Sequence, residues 1–183
     1  MARLGAKKKR AASLKPASTP AERRQRTFQK AAKLLAAKSR SVAELRELLT
    51  QSQGANKADV EEVLARLSEY GYLNDERFAF GYASSKVRHR PVGRQRLKRD
   101  LALKKVNKET ADEALDLVFA EVSESDLIDR AIAKRVRLRG RPENRAAAKS
   151  LFDHLLRQGF PFELVSEKVR AATRTDLDDD EVM

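Results

Sequence analysis

The chain has 183 residues, no cysteine, and a formal net charge of +12 at pH 7 that comes from 39 Lys and Arg against 27 Asp and Glu. The missing cysteines exclude a disulfide framework, a thiolate metal site and a cysteine nucleophile. Charged residues make up 36%, hydrophobic residues 41% and aromatic residues 5%, a balance that predicts a folded, all-α protein with a large charged surface.

The first 26 residues have the composition of a disordered basic arm. They include Lys7-Lys8-Lys9-Arg10 and two prolines but few large apolar residues, so they lack the apolar surface that folding requires. No apolar run in the chain approaches the ~20 residues of a membrane-spanning helix, and no hydrophobic segment follows the basic start. We therefore expect a soluble, cytoplasmic protein that makes no membrane contact.

The apolar spacing and capping residues within residues 27–75 predict a first unit of three helices. Apolar residues recur at helical spacing between Phe28 and Ala37. Ser41 and Glu44 then form a capping box that opens a second helix. A third helix follows Asn56, because apolar residues occur at offsets 4, 7, 8 and 11 from that asparagine and so share one helix face.

A helix junction ends the first unit. Gly71 can adopt the left-handed conformation that closes a helix, and Asn74 or Asp75 can cap the next one. Tyr70 and Tyr72 flank the glycine. We expect these tyrosines to pack between helices and not to stack on nucleobases.

The pattern of the first unit recurs twice. Apolar residues follow Asn107 at the same four offsets as they follow Asn56, and they follow Pro161 at three of the four, so the copies lie 51 and 54 residues apart. Such self-similarity is typical of repeat proteins, in which neighbouring copies pack side by side. The sequence therefore predicts an elongated array of three tandem three-helix repeats, at residues 27–75, 76–122 and 123–173, with an acidic tail at 174–183.

Charge is segregated along the chain. Residues 77–108 hold eleven Lys or Arg against one acid, and residues 130–157 hold nine against two. Residues 109–129 between them hold eight acids and no base. A polyanionic partner, or an acidic groove on a protein, is the natural explanation of such basic segments, and solvated helix faces are the alternative.

Seventeen basic residues of these two segments are the candidate contacts to nucleic acid or a protein partner. They are Arg77, Lys86, Arg88, Arg90, Arg94, Arg96, Lys98, Arg99, Lys104, Lys105, Lys134, Arg135, Arg137, Arg139, Arg141, Arg145 and Lys149. Arg94 and Lys98 are one helical turn apart and opposite to Leu97 and Leu101, so we expect their side of the helix to face solvent.

No pattern in the chain indicates catalysis. There is no glycine-rich phosphate-binding loop, and the two histidines, His89 and His154, lack the spacing of a zinc site. Carboxylate pairs fall on the polar faces of predicted helices and have no partner base. We therefore expect a binding protein with no catalytic residues, cofactor or metal.

Several of these segments resemble the RecX family. The resemblance extends over most of residues 28–172 and rests on Ser41–Leu49, Glu69–Ala79, Gly93-x-x-x-Leu97-x-x-x-Leu101 and Leu155-x-x-x-Gly159-Phe160. The chain departs from the family at Leu103-Lys104-Lys105-Val106, where relatives usually turn through a glycine.

The resemblance implies tandem three-helix repeats that bind the groove of the RecA nucleoprotein filament and suppress its ATPase, strand-exchange and coprotease activities, with effects on recombination, DNA repair and the SOS response. The implied partners are the RecA filament and single-stranded DNA, with double-stranded DNA as a further partner, and we expect a monomer. Two other interpretations fit the residues. One is a helix-turn-helix transcriptional regulator with a preferred duplex sequence; the other is a passive scaffold with no affinity for nucleic acid.

Overall fold

The computed structural model describes residues 19–52 and 56–174, and within them it has nine α-helices and no β-strand. The helices are α1 (Pro20–Ala37), α2 (Val42–Thr50), α3 (Lys57–Glu69), α4 (Asp75–His89), α5 (Arg94–Leu103), α6 (Lys108–Glu121), α7 (Glu124–Arg139), α8 (Arg145–Gln158) and α9 (Phe162–Arg174). Each successive group of three packs together, so the predicted array of three-helix repeats is confirmed. We call α1–α3 repeat 1, α4–α6 repeat 2 and α7–α9 repeat 3. None of these helices has the length and apolar character that a membrane crossing requires.

Short polar side chains begin the helices where the sequence predicts them. The side-chain oxygens of Ser41, Asn56, Asn74 and Asn107 each accept a hydrogen bond from a backbone N–H in the first turn of α2, α3, α4 and α6. Gly71 closes α3 with a φ of +70°, in the left-handed conformation. Local sequence chemistry therefore sets these helix ends.

The first helix begins earlier than predicted. The sequence predicts a disordered arm over residues 1–26, and this prediction is wrong for residues 20–26, which form the start of α1. Thr19 and Glu22 make a reciprocal capping box, and the guanidinium of Arg23 lies 3.1 Å from the carboxylate of Asp59 on α3. These polar contacts order a turn that has no large apolar residue. Residues 1–18 of the predicted arm and 175–183 of the predicted tail lie outside the described residues.

Tyr70 and Tyr72 do not pack between helices, so that prediction is wrong. They are 56% and 69% exposed, and their rings meet edge to face with the centroids 6.4 Å apart. The left-handed turn at Gly71 instead directs Leu73 into the core of repeat 1. Turn geometry, which hydrophobicity alone does not reveal, decides which of these neighbours is buried.

The helices enclose two separate hydrophobic cores. The first lies within repeat 1 and includes Leu45, Leu49 and Leu67. The second is shared by repeats 2 and 3, because residues of both, such as Leu101 and Leu155, belong to one contiguous buried cluster. Repeats 2 and 3 are therefore one packing unit, and repeat 1 is another.

Two glycines bring repeats 2 and 3 into backbone contact. The N–H of Gly93, just before α5, donates to the carbonyl oxygen of Gln158 at 3.0 Å, and the N–H of Gln95 donates to that of Gly159 at 3.1 Å. A Cβ atom on Gly93 would lie 2.4 Å from the carbonyl carbon of Gly159. Only glycine fits this approach, so the pair fixes how α5 meets the end of α8.

Repeat 1 joins repeat 2 through polar contacts. The hydroxyl of Ser41, which is fully buried, donates to the carbonyl oxygen of Lys104 at 2.5 Å. The N–H of Val42 donates to the Asp75 carboxylate at 2.8 Å, and the Lys104 ammonium donates to Glu44 at 2.9 Å. Since no apolar cluster bridges the described parts of these two repeats, hydrogen bonds and ion pairs position repeat 1.

The lysine-containing turn after α5 keeps the geometry of a glycine turn. Lys105 has a φ of +58°, and the N–H of Val106 donates to the carbonyl oxygen of Leu101 at 3.2 Å. The turn after α8 makes the same connection, from Phe160 to Leu155, with Gly159 in the left-handed position. Lys105 thus occupies, with some steric strain, a position that suits glycine.

We expect Lys105→Gly to stabilise the protein when its ion pair is already absent. Lys105 donates to Glu47 at 2.7 Å, and Glu47→Gln removes that ion pair. In a Glu47→Gln background, Lys105→Gly should raise the free energy of unfolding by about 0.5–1 kcal/mol, because relief of the left-handed strain exceeds the added backbone entropy. Urea denaturation of both proteins measures this difference, and Lys105→Ala serves as the control because alanine retains the strain.

Candidate polyanion-binding face

The basic side of α5 faces solvent only in part, because the side chains of Arg94 and Lys98 are 29% and 38% exposed and both form ion pairs. The Arg94 guanidinium lies 2.6 Å from the Asp116 carboxylate, and the Lys98 ammonium lies 2.6 Å from that of Asp112. Both acids belong to α6, which packs against α5. The hydrogen bond from Lys98 lowers the pKa of Asp112, as expected for a carboxylate beside a cation. The acidic segment thus neutralises part of the basic segment before it.

Three further candidate cations also make contacts within the chain. Lys104 and Lys105 pair with Glu44 and Glu47 of α2, and the Arg77 guanidinium donates to the carbonyl oxygen of Gly71. Burial alone would raise the pKa of Glu44, but hydrogen bonds from Lys104 and from the Ser41 N–H outweigh it and lower that pKa. Lys104 and Lys105 therefore connect repeat 2 to repeat 1, and Arg77 binds the turn that closes α3.

Other candidate cations converge on a cleft between repeats 2 and 3. This cleft, which we call the central cleft, has a volume of about 330 Å³. Its lining residues come from the end of α4, the following turn, α5, α7 and α8: Lys86, Arg90, Pro91, Val92, Arg96, Asp100, Ala131, Lys134, Arg135, Leu138, His154 and Gln158. Asp100 is the one carboxylate in this lining, and it accepts a hydrogen bond from the Tyr82 hydroxyl at 3.2 Å. Cations therefore dominate the charge of the cleft.

The positive surface continues on both sides of α7. One neighbouring hollow is lined by Arg130 and Arg137, and also by Pro91 and Lys134, which line the central cleft as well. Another that shares Arg135 is lined by Arg139 and Arg141, and neither hollow has an acidic residue in its lining. We call the cations of the three depressions the basic face: Lys86, Arg90, Arg96, Arg130, Lys134, Arg135, Arg137, Arg139 and Arg141.

Arg130 belongs to this face although the sequence analysis does not include it among the candidates. It lies at positions i, i+4 and i+7 with Lys134 and Arg137, so the three form a stripe along α7. This spacing was readable from the sequence and would have identified Arg130. The three side chains are exposed, and the helical period places their stripe beside the buried Leu127 and Ala131.

The remaining four candidates also lie outside the three depressions. Arg88 and Arg145 are exposed, at the end of α4 and at the start of α8. Arg99 donates to the carbonyl oxygen of Arg157 at 3.5 Å, and the Lys149 ammonium lies 3.8 Å from the Asp153 carboxylate one helical turn away. The structure does not bring these residues together with the basic face.

His154 enters the central cleft as a neutral side chain. Burial lowers the pKa of His154, and the neighbouring cations, among them Arg135, lower it further. At neutral pH the imidazole therefore has one N–H donor and one acceptor nitrogen. Within the described residues, no group of three or more His, Asp and Glu is placed to hold a metal ion.

Sequence comparison relates the chain to a known family. The sequence model of the second three-helix domain of RecX matches residues 74–115, which include α4 and α5. The regulatory protein RecX of Amycolatopsis mediterranei is 30% identical over 174 residues, which cover 90% of this chain and 97% of that protein. The chain belongs to the RecX family. The regulatory protein RecX of Chlorobium limicola is 33% identical over 146 residues, covering 79% of this chain and 88% of that relative.

Other RecX proteins are longer. The chain matches the RecX of Bacillus licheniformis at 30% identity over 84% of its own length, but this match covers only 57% of that protein, so the chain spans little more than half of it. The crystal structure of RecX from Lactobacillus salivarius superposes with a TM-score of 0.71 at 18% identity, covering 83% of this chain and 97% of that one. That similarity supports the RecX fold for the three repeats.

Proposed function

We propose that the chain binds the RecA–single-stranded DNA nucleoprotein filament and inhibits its ATPase, strand-exchange and coprotease activities, and thereby modulates recombination, DNA repair and the SOS response. Membership of a family whose proteins carry the name regulatory protein RecX supports this proposal. The observation that carries it is the basic face, which crosses from repeat 2 to repeat 3 and matches the phosphate backbone in charge.

The proposed mechanism is mechanical and needs no chemistry from this chain. The basic face lies over a core that repeats 2 and 3 share, and the Gly93 and Gly159 backbones hold the two repeats in contact. A face of this kind keeps its shape when it contacts an extended polyanion. An array of three repeats that contacted several RecA subunits of the filament at once would hinder the subunit motions that ATP turnover and strand exchange need.

DNA-dependent ATP hydrolysis by the cognate RecA recombinase tests the proposal. The protein is titrated in at concentrations below that of the recombinase, with and without excess DNA. We expect hydrolysis to fall at such ratios and to stay low when DNA is in excess, because the filament itself is the target. An effect that disappears with excess DNA would contradict filament capture, and it would favour a DNA-binding regulator acting by competition for DNA.

A further inference from the structure

An exposed leucine lies in the middle of the basic face. Leu138, between Arg137 and Arg139, is 70% exposed and lies at the rim of the central cleft. Phosphate groups gain nothing from contact with a leucine side chain, whereas an apolar surface does. A ligand that contacts the cations and Leu138 together must have both an anionic and an apolar part.

The lining of the central cleft also offers more than positive charge. Val92 and Ala131, both buried, form an apolar part of its wall. The carboxylate of Asp100 would repel an anion, but its oxygens suit an amino group, and the Gln158 amide can both donate and accept hydrogen bonds. This combination of apolar wall, neutral hydrogen-bonding groups and one acceptor carboxylate suits the face and edge of a nucleobase.

We propose that the central cleft holds one unpaired nucleobase of a single strand whose phosphates lie on the surrounding basic face. This inference rests on the proposed function and names the form of nucleic acid that the face takes. A volume of about 330 Å³ is at the small end of the range of ligand pockets, roughly 300–1,000 Å³. A base within a duplex is stacked on its neighbours and stays outside, whereas a base of a single strand can turn into the cleft.

Two planar side chains provide surfaces on which the base can stack. The guanidinium of Arg96 lies in the cleft and donates to the side-chain oxygen of Gln158 at 3.2 Å, which holds it in place. The imidazole of His154 is the other, and both group types stack on splayed bases in single-strand recognition. The base amine then faces Asp100, which favours cytosine or adenine over thymine.

Fluorescence anisotropy with two single-stranded oligonucleotides of about 15 nucleotides tests the inference. One is oligodeoxycytidine and the other has the same phosphate backbone with abasic sites. We expect the protein to bind the cytidine strand about fivefold or more tightly than the abasic strand, the lower bound for a stacked base. Leu138→Ala and His154→Ala should each reduce this preference, and His154→Phe should retain it because the ring persists.

The matched control is Leu117→Ala. Leu117 is 61% exposed on the acidic helix α6, so its loss removes the same side chain from a surface outside the basic face. We expect it to leave the preference unchanged. Circular dichroism of each variant tests that the helices are intact, and since Leu138 is exposed its replacement should not disturb folding.

The alternative outcomes separate this inference from the proposed function. Equal, salt-sensitive binding of both strands would overturn the base-binding cleft and leave the phosphate contacts standing. Binding of neither strand at low salt would overturn the base-binding cleft and the phosphate contacts of the basic face, whereas filament capture is tested separately by ATP hydrolysis. Duplex bound as tightly as the cytidine strand, with the same dependence on Leu138, would overturn the inference in favour of a leucine inserted between stacked bases. If an acidic peptide displaced the cytidine strand from the unmodified protein but not from Leu138→Ala, the inference would be overturned in favour of a protein ligand.

Discussion

Replacing Arg130, Lys134 and Arg137 together by glutamine is expected to weaken single-stranded DNA binding by about tenfold or more at low salt. Among the described residues, none of the three forms an ion pair, and they line the exposed side of α7. Each phosphate contact on a single strand contributes about 0.7 to the slope of log affinity against log salt, so the slope should become shallower by about 2. Titration at several salt concentrations measures both effects.

The control for this triple variant has the same change in net charge. Lys33, Lys38 and Lys57 are exposed cations of repeat 1, and their combined replacement by glutamine also removes three positive charges. We expect this control to bind with nearly the slope of the unmodified protein. If both triple variants lost affinity and slope to the same degree, net charge would account for binding and the basic face would not.

Gly93→Ala is expected to lower the free energy of unfolding by about 3 kcal/mol. The added Cβ would lie 2.4 Å from both the carbonyl carbon and the oxygen of Gly159 and 2.5 Å from the nitrogen of Phe160. All three are backbone atoms, which cannot rotate aside as the end of a side chain can, so α5 and α8 must separate. Urea denaturation followed by circular dichroism measures the loss.

Gly81→Ala is the matched control, because Gly81 lies within α4 and a Cβ there would meet nothing within 4 Å. Alanine favours helix over glycine, so this variant should be more stable by up to about 1 kcal/mol. Should Gly93→Ala prove as stable as the unmodified protein, the backbone contact between repeats 2 and 3 would not have the role assigned to it here. The single-strand affinity of Gly93→Ala should also fall, since the basic face spans that contact.

Local signals were enough to predict the helices and the repeat. Capping by Ser41, Asn74 and Asn107, together with the spacing of apolar residues, depends on neighbours within a few positions, so the sequence contains the whole signal. The start of α1 was also readable, since Thr19 and Glu22 have the spacing of a capping box. The basic composition of residues 1–26 and this motif point to different structures, and the motif decides the fold of residues 20–26.

The candidate site was less predictable because it depends on contacts distant in sequence. Arg94 and Lys98 each precede a buried leucine by three residues, so the helical period places them beside the apolar side of α5 and not opposite to it, where Asp112 and Asp116 of α6 pair with them. A helix period identifies the polar side but not which helix packs against it. The central cleft likewise draws its lining from four helices of two repeats, a combination that only the packing of repeat 2 on repeat 3 creates.

The two cores also bear on the order in which parts of the protein form during synthesis. All buried residues of the first core lie between Ala31 and Leu73, so that core can close as soon as repeat 1 has left the ribosome. The second core includes Val165 and Val169 of α9, the last helix. The core beneath the basic face is therefore completed only when translation of the third repeat is finished, so a nascent chain can carry a folded repeat 1 well before the basic face has formed.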